Sequence, residues 1–226
     1  MRAFIAVGVL LLSVGCRNES ASPAQQPQRR QEPQERQEPA RARPRIVFLG
    51  DSLTAGLGLP SDQSYPSLIG KKLKAQGYDY EVVNAGVSGD TSAGGSRRLE
   101  WSLAGDVRAL VLALGANDGL RGLPTDELKK NLAVVLDRAK AQDIPVVLAG
   151  MEAPPNNGPE YTRAFRQVYT DLAKEYHVRY VPFLLLGVAG NATLNQGDGI
   201  HPNARGAEIV ADLVWAELEP LLRRPN

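Results

Sequence analysis

The sequence predicts one three-layer α/β domain built on a parallel sheet, and three observations predict it. Short apolar runs recur between longer amphipathic stretches. The runs are apolar throughout and do not alternate, as strands buried on both faces require. The stretches between them repeat apolar residues at helical spacing. An order of βαβαβαβαβα closes as a sheet with right-handed crossovers and helices on both sides.

The first strand is predicted at 46–49 (IVFL), ending at Gly50. A helix follows from Ser64-Tyr65-Pro66, where proline suits an early-turn position. The second strand is the Val82-Val83 pair in YEVVNAG, and the third is 110–114 in RALVLALGAND. Leu128, Leu132, Val135, Leu136 and Ala139 form one stripe of a helix capped near Thr125, with acids in its first turn. The fourth strand is 146–148. Tyr161, Phe165, Val168 and Leu172 mark the next helix, and 180–184 is the fifth, weaker strand. Val210, Leu213, Val214, Leu218 and Leu221 mark the last helix. Trp101 and Trp215 fall on predicted helices and are expected to pack there.

Of the 226 residues 43% are apolar and 23% charged, with a net charge of +1. That balance is unlike the basic excess of nucleic-acid binders. One cysteine excludes an internal disulfide framework, and two histidines leave little for a histidine-rich metal site. The average hides two segments ahead of the domain. Residues 17–45 hold five Pro, six Gln, seven Arg and four Glu, with no large apolar side chain. Such a segment cannot offset the entropy of ordering and is expected to be a disordered tether. Residues 46–226 then carry 18 basic against 21 acidic side chains. Residues 1–16 (MRAFIAVGVLLLSVGC) join Arg2 to a 12-residue apolar stretch, too short for the roughly 20 residues of a bilayer span. This segment resembles a bacterial lipoprotein signal, although Ser13 stands where such signals usually carry Leu. The resemblance implies lipidation of Cys16 and a place in the cell envelope, lipid-anchored or secreted to the periplasm. An ordinary secretory signal is the alternative.

Ligands of open parallel sheets bind at the carboxyl ends of the strands. The residues just after the strands are therefore informative: Gly50-Asp51-Ser52, then Gly86-Val87-Ser88-Gly89, then Gly115-Ala116-Asn117-Asp118, and finally Asp198-Gly199-Ile200-His201. A serine needs a base to become a nucleophile. His201 is the suitable base, because His177 falls at a helix-to-strand junction on the opposite edge. Asp198, three residues earlier, can fix the imidazole tautomer. The backbone N–H groups of Ser52 and Gly89 and the Asn117 amide can meet an oxyanion. Each residue also has a plain use: Asp51-Ser52 as a helix cap, Gly86 and Gly89 as turn formers, Asn203 as the cap of the last helix. GxSxG, GxGxxG and GxxxxGK do not occur, so α/β-hydrolase, dinucleotide and P-loop sites lack support. No metal or cofactor is expected, since Asp51, Asn117, Asp198 and His201 lack a second histidine or a carboxylate cluster.

GDSL at 50–53, Gly89 within NAGVSGDTS, GAND at 115–118 and DGIHPN at 198–203 resemble the four blocks of the SGNH (GDSL) hydrolases, in order along 46–226. The similarity points to the thioesterase I, lysophospholipase and arylesterase branch. It implies a flavodoxin-like sheet of order 2-1-3-4-5, catalytic Ser52, Asp198 and His201, and an oxyanion hole of Ser52, Gly89 and Asn117. The implied reaction is cleavage of esters or thioesters through an acyl-serine. A carbohydrate O-acetyl esterase and a non-catalytic acyl-binding lipoprotein are the alternatives. A monomer is expected, with a small acyl ester or thioester and, through Cys16, a membrane as partners. The loops 151–159 and 119–122 are expected either to line the substrate or merely to connect elements.

Overall fold

A computed structural model describes residues 43–222. The predicted signal and Cys16, and the tether up to residue 42, lie outside the described residues. Five strands form one parallel sheet in the order β2-β1-β3-β4-β5. In chain order the larger elements are β1 (Arg45–Gly50), α1 (Ser52–Ala55), α2 (Tyr65–Ala75), β2 (Glu81–Gly86), α3 (Ser92–Arg97), α4 (Leu99–Ser102) and β3 (Val107–Ala113). They continue with α5 (Ala116–Leu120), α6 (Thr125–Ala141), β4 (Val146–Ala149), α7 (Pro159–Tyr176), β5 (Arg179–Val181) and α8 (Ala204–Leu218). No described helix is long and apolar enough to cross a membrane.

The continuous apolar runs sit where burial on two faces demands them. Ile46–Leu49 of β1 and Ala109–Leu114 around β3 are solvent-free. The α2 and α8 helices pack together on the sheet, while α6 packs against α3 and α7. The predicted α6 stripe, Leu128 through Ala139, is buried as a unit. Phe165 meets Tyr169 edge-on at 5.7 Å, and the Tyr169 hydroxyl donates to Leu114 O at 2.9 Å and ties α7 to the end of β3.

Several elements differ from their sequence patterns for identifiable reasons. Arg45 joins β1 one residue before the apolar run, because its N–H bonds Asp106 O at 2.8 Å and needs no apolar side chain. Val82 and Val83 are only half-buried, since β2 is an edge strand. The fifth strand is three residues long: Pro182 has no N–H to continue the ladder. Thr125 opens α6 without capping it. Trp101 is not a packing residue: it is 73% exposed, whereas Trp215 meets Tyr78 edge-on at 6.2 Å.

The carboxyl ends of β1 and β2 approach α1 so closely that side chains are excluded. A Cβ on Gly86 would overlap the backbone nitrogen of Ala55, and one on Gly50 would overlap the Thr54 hydroxyl. Gly86→Ala is expected to cost about 1–3 kcal/mol in urea unfolding, the usual penalty of overpacking. Unchanged stability would show that α1 yields freely to the added methyl.

Candidate active site

The loops that end β1, β2 and β3, together with the segment before α8, meet at one edge of the sheet. Asp51 caps α1 by accepting Leu53 N–H at 3.0 Å. The predicted capping role thus falls to Asp51, and the next residue, Ser52, is free to turn its hydroxyl toward the last loop. Its Oγ lies 2.9 Å from His201 Nε2, and His201 Nδ1 lies 2.7 Å from Asp198 Oδ2. The other Asp198 oxygen accepts backbone N–H groups of His201 (3.0 Å) and Ile200 (2.9 Å). These bonds, led by the backbone N–H of His201, hold the Asp198 carboxyl down at about 2. An ionised carboxylate can only accept. The Nδ1 proton therefore points at Asp198, and Nε2 presents its lone pair to the Ser52 hydroxyl. His177 is exposed, in a left-handed conformation at the end of α7, far from this line in the topology. Asn203 caps α8 by accepting Gly206 N–H at 3.1 Å.

Ser52, Gly89, Asn117 and His201 line one cavity of about 560 Å³, with Leu57, Leu120, Met151, Phe183 and Leu185 among its apolar walls. Of the two loops with open roles, residues 151–154 line it, and from 119–122 Leu120 does. Gly89 has φ +83°, a conformation that favours glycine. Asn117 Nδ2 donates to Asp90 O at 2.9 Å and, more weakly, to Asp51 Oδ2 at 3.3 Å. Both hydrogens of that amide are thus engaged, and the longer bond is the one an incoming oxygen can replace.

Sequence reasoning missed the residues that hold this edge together. Arg98 donates to Gly50 O (2.7 Å), Ala85 O (2.6 Å) and the Asp90 carboxylate (2.7 Å), pinning the ends of β1 and β2 to the Gly89 loop. Arg121 donates to Gly89 O at 3.0 Å. Asp118 accepts the N–H and hydroxyl of Ser92 at 2.8 and 2.6 Å, which locks α5 to α3. An arginine in an amphipathic stretch carries no sequence signal of such a role. Among the described residues no group of three or more His, Cys, Asp or Glu side chains converges as a metal site would.

Asp51 is solvent-free, and burial pushes its carboxyl up from 3.8 to about 6 against the bonds from Leu53 and Asn117 and the charge of His201. Between those values the folded chain keeps a proton that the unfolded chain has released, so stability falls as pH rises. The rise corresponds to about 3 kcal/mol at 1.36 kcal/mol per pH unit. Asp198 acts in the opposite sense and in a lower window: its stabilisation is present above about pH 4 and lost as pH falls toward 2. Relative to wild type, Asp51→Asn is expected to gain up to about 3 kcal/mol between about pH 4 and pH 7 in urea unfolding. Parallel pH curves for the two proteins would assign the slope to another group.

Comparisons with known proteins identify the family to which this fold belongs. The chain is 45% identical over 182 residues to an esterase, TesA, of Pseudomonas aeruginosa, covering 80% of this chain and 90% of that protein. It is 36% identical over 188 residues to a thioesterase 1/protease 1/lysophospholipase L1 of Escherichia coli K12, covering 83% and 89%. A crystal structure of TesA superposes with a TM-score of 0.75 at 44% identity, over 79% of this chain and 99% of that one. A family model described as GDSL-like lipase/acylhydrolase matches residues 48–209, from the middle of β1 into α8. The chain therefore belongs to the GDSL-like lipase/acylhydrolase family.

Proposed function

We propose that this protein is a serine hydrolase that cleaves carboxylic esters or thioesters through an acyl-serine intermediate. The observation that carries the reading is the hydrogen-bonded line from Asp198 through His201 to Ser52, opening on an apolar cavity. His201 Nε2 takes the Ser52 proton while Oγ bonds the acyl carbon, and the carbonyl oxygen becomes an anion. The N–H groups of Ser52 and Gly89, together with the Asn117 amide once it gives up its longer bond to Asp51, are the donors we assign to that anion, which forms only in the transition state and its intermediate. Collapse breaks the bond to the leaving oxygen or sulfur, which receives the proton from His201. Water, deprotonated in turn by His201, then attacks the acyl-serine and releases the acid and free Ser52. The apolar walls accept the acyl chain, and the named activities of the relatives support esters and thioesters as the substrate class.

Ser52→Ala is expected to abolish both ester turnover and labelling by a fluorophosphonate, with the fold kept as judged by circular dichroism. Near-normal turnover by the variant would refute Ser52 as the nucleophile. A wild-type chain that binds acyl compounds, neither turning them over nor being labelled, would refute the enzyme.

We infer in addition that Cys16 is lipidated and that the protein is anchored in the bacterial envelope, or else secreted to the periplasm. The support is the apolar stretch ending at the chain's one thiol. Two acyl chains, at about 0.8 kcal/mol per buried CH₂, anchor stably where one is marginal. In cells, Cys16→Ser is expected to move the protein from the membrane to the soluble fraction or to block its processing, with ester turnover by the purified chain unchanged. Equal membrane partitioning and the same processed mass for both chains would refute the anchor.

A further inference from the structure

Ser52 and His201 are 149 residues apart in the chain, and the bond between them is only as good as the register of the two loops that carry them. The nucleophile segment is slight: α1 has four residues and closes at Gly56 in a left-handed conformation. The Leu57 N–H then returns to the carbonyl of Ser52 itself at 3.1 Å. The acid–base segment is braced on its own side. Asn195 donates to Val188 O and Asn191 O at 2.7 and 2.8 Å, and Asn203 donates to Thr193 O at 2.9 Å.

Among the described residues, one direct hydrogen bond other than Ser52–His201 joins residues 51–60 to residues 191–203, and Gln196 makes it. Its Nε2 donates to Leu57 O at 2.7 Å and also to Pro202 O at 3.0 Å, using both amide hydrogens. Its backbone N–H donates to His201 O at 2.8 Å, and its own carbonyl accepts Gly199 N–H at 2.9 Å. One residue thus grips the carbonyls of His201 and Pro202 on one side and, through Leu57, the peptide bonded to Ser52 on the other. Gly58, with φ +77°, faces this contact: a Cβ there would overlap the Gln196 amide. Two carbonyl oxygens at one nitrogen require a group with two N–H donors on it, which glutamine supplies and glutamate does not.

We propose that Gln196 is a positioning residue that sets the Ser52–His201 distance, acting on the catalytic groups without touching substrate. The proposal rests on the hydrolase reading for its kinetic consequence and on geometry alone for its structural one. Misplacing a reacting group by about 1 Å costs about 100-fold. Loss of the clamp belongs in kcat, because Gln196 lies outside the cavity that receives substrate.

The test compares wild type with Gln196→Met, which keeps the length and removes both donors, and with Gln196→Glu, which sets a carboxylate against two carbonyls. Turnover of a soluble p-nitrophenyl ester is measured per fluorophosphonate-titrated site, beside the NMR signal of the His201 Nδ1 proton. Expected are a fall in kcat of about 10- to 100-fold for Gln196→Met with KM little changed, a larger fall for Gln196→Glu, and a shifted or broadened Nδ1 proton signal in both. Unchanged kcat per site and an unchanged proton signal, with only a lower melting temperature, would make Gln196 a plain structural residue and overturn the proposal. A wild-type chain without turnover would sink the hydrolase reading instead, and the proton signal would still decide whether Gln196 positions His201.

Discussion

A single 2.9 Å hydrogen bond between Ser52 Oγ and His201 Nε2 joins the start of the sheet to the segment before the last helix. Such a bond contributes little net stability, on the order of 1 kcal/mol, and cannot by itself hold two loops in register. The surrounding architecture does that work. Gly50 and Gly86 let α1 settle against the ends of β1 and β2, where any side chain would collide with it. Arg98 fastens the same two strand ends to the Gly89 loop through three short charge-assisted bonds. On the far side, asparagines at 195 and 203 spend their amides on loop carbonyls that have no ladder to join.

Parallel topology explains why these parts can meet at all. Every strand delivers its carboxyl end to the same edge, and each following loop starts there. The order β2-β1-β3 puts the Ser52 loop between the Gly89 and Asn117 loops, so Ser52 is flanked by both without long excursions of the chain. His201 arrives differently. After β5 ends at Val181, the chain runs through about 20 residues without a further strand before α8 begins, and the placement of His201 depends on side-chain bonds.

That contrast also decides what could be read from the residues alone. Strand runs and helix stripes report burial, a property the sequence writes directly as hydrophobic spacing. The stripe from Leu128 to Ala139 and the solvent-free 46–49 run match their patterns accordingly. Ser52, Asp198 and His201 stood out because few side chains suit a nucleophile, its base and an orienting carboxylate, and the folded chain brings the three into one hydrogen-bonded line. Gly89 and Asn117 stood out by their places after β2 and β3, and both line the cavity beside Ser52. Arg98 and Gln196 were not legible as supports: each binds backbone carbonyls through the folded geometry, and nothing in an isolated Arg or Gln announces such a partner. Asp51 was legible as a helix cap, and it caps α1. Trp101 errs in the other direction, since its helical context suggested packing and the four-residue α4 leaves it in solvent.

Two carboxylates beside the same imidazole are held in opposite states of readiness, and the cause is local. Asp198 is exposed, yet two backbone N–H groups and the His201 ring lower its carboxyl to about 2, so it stays charged through any pH at which the imidazole works. Asp51 has no water and fewer donors, so burial raises it to about 6 despite its bond from Leu53. A charged Asp51 would oppose an anion near Asn117, whose amide it engages. Burying Asp51 thus lowers the stability of the fold as pH rises toward neutrality, at the same edge where Ser52 meets His201.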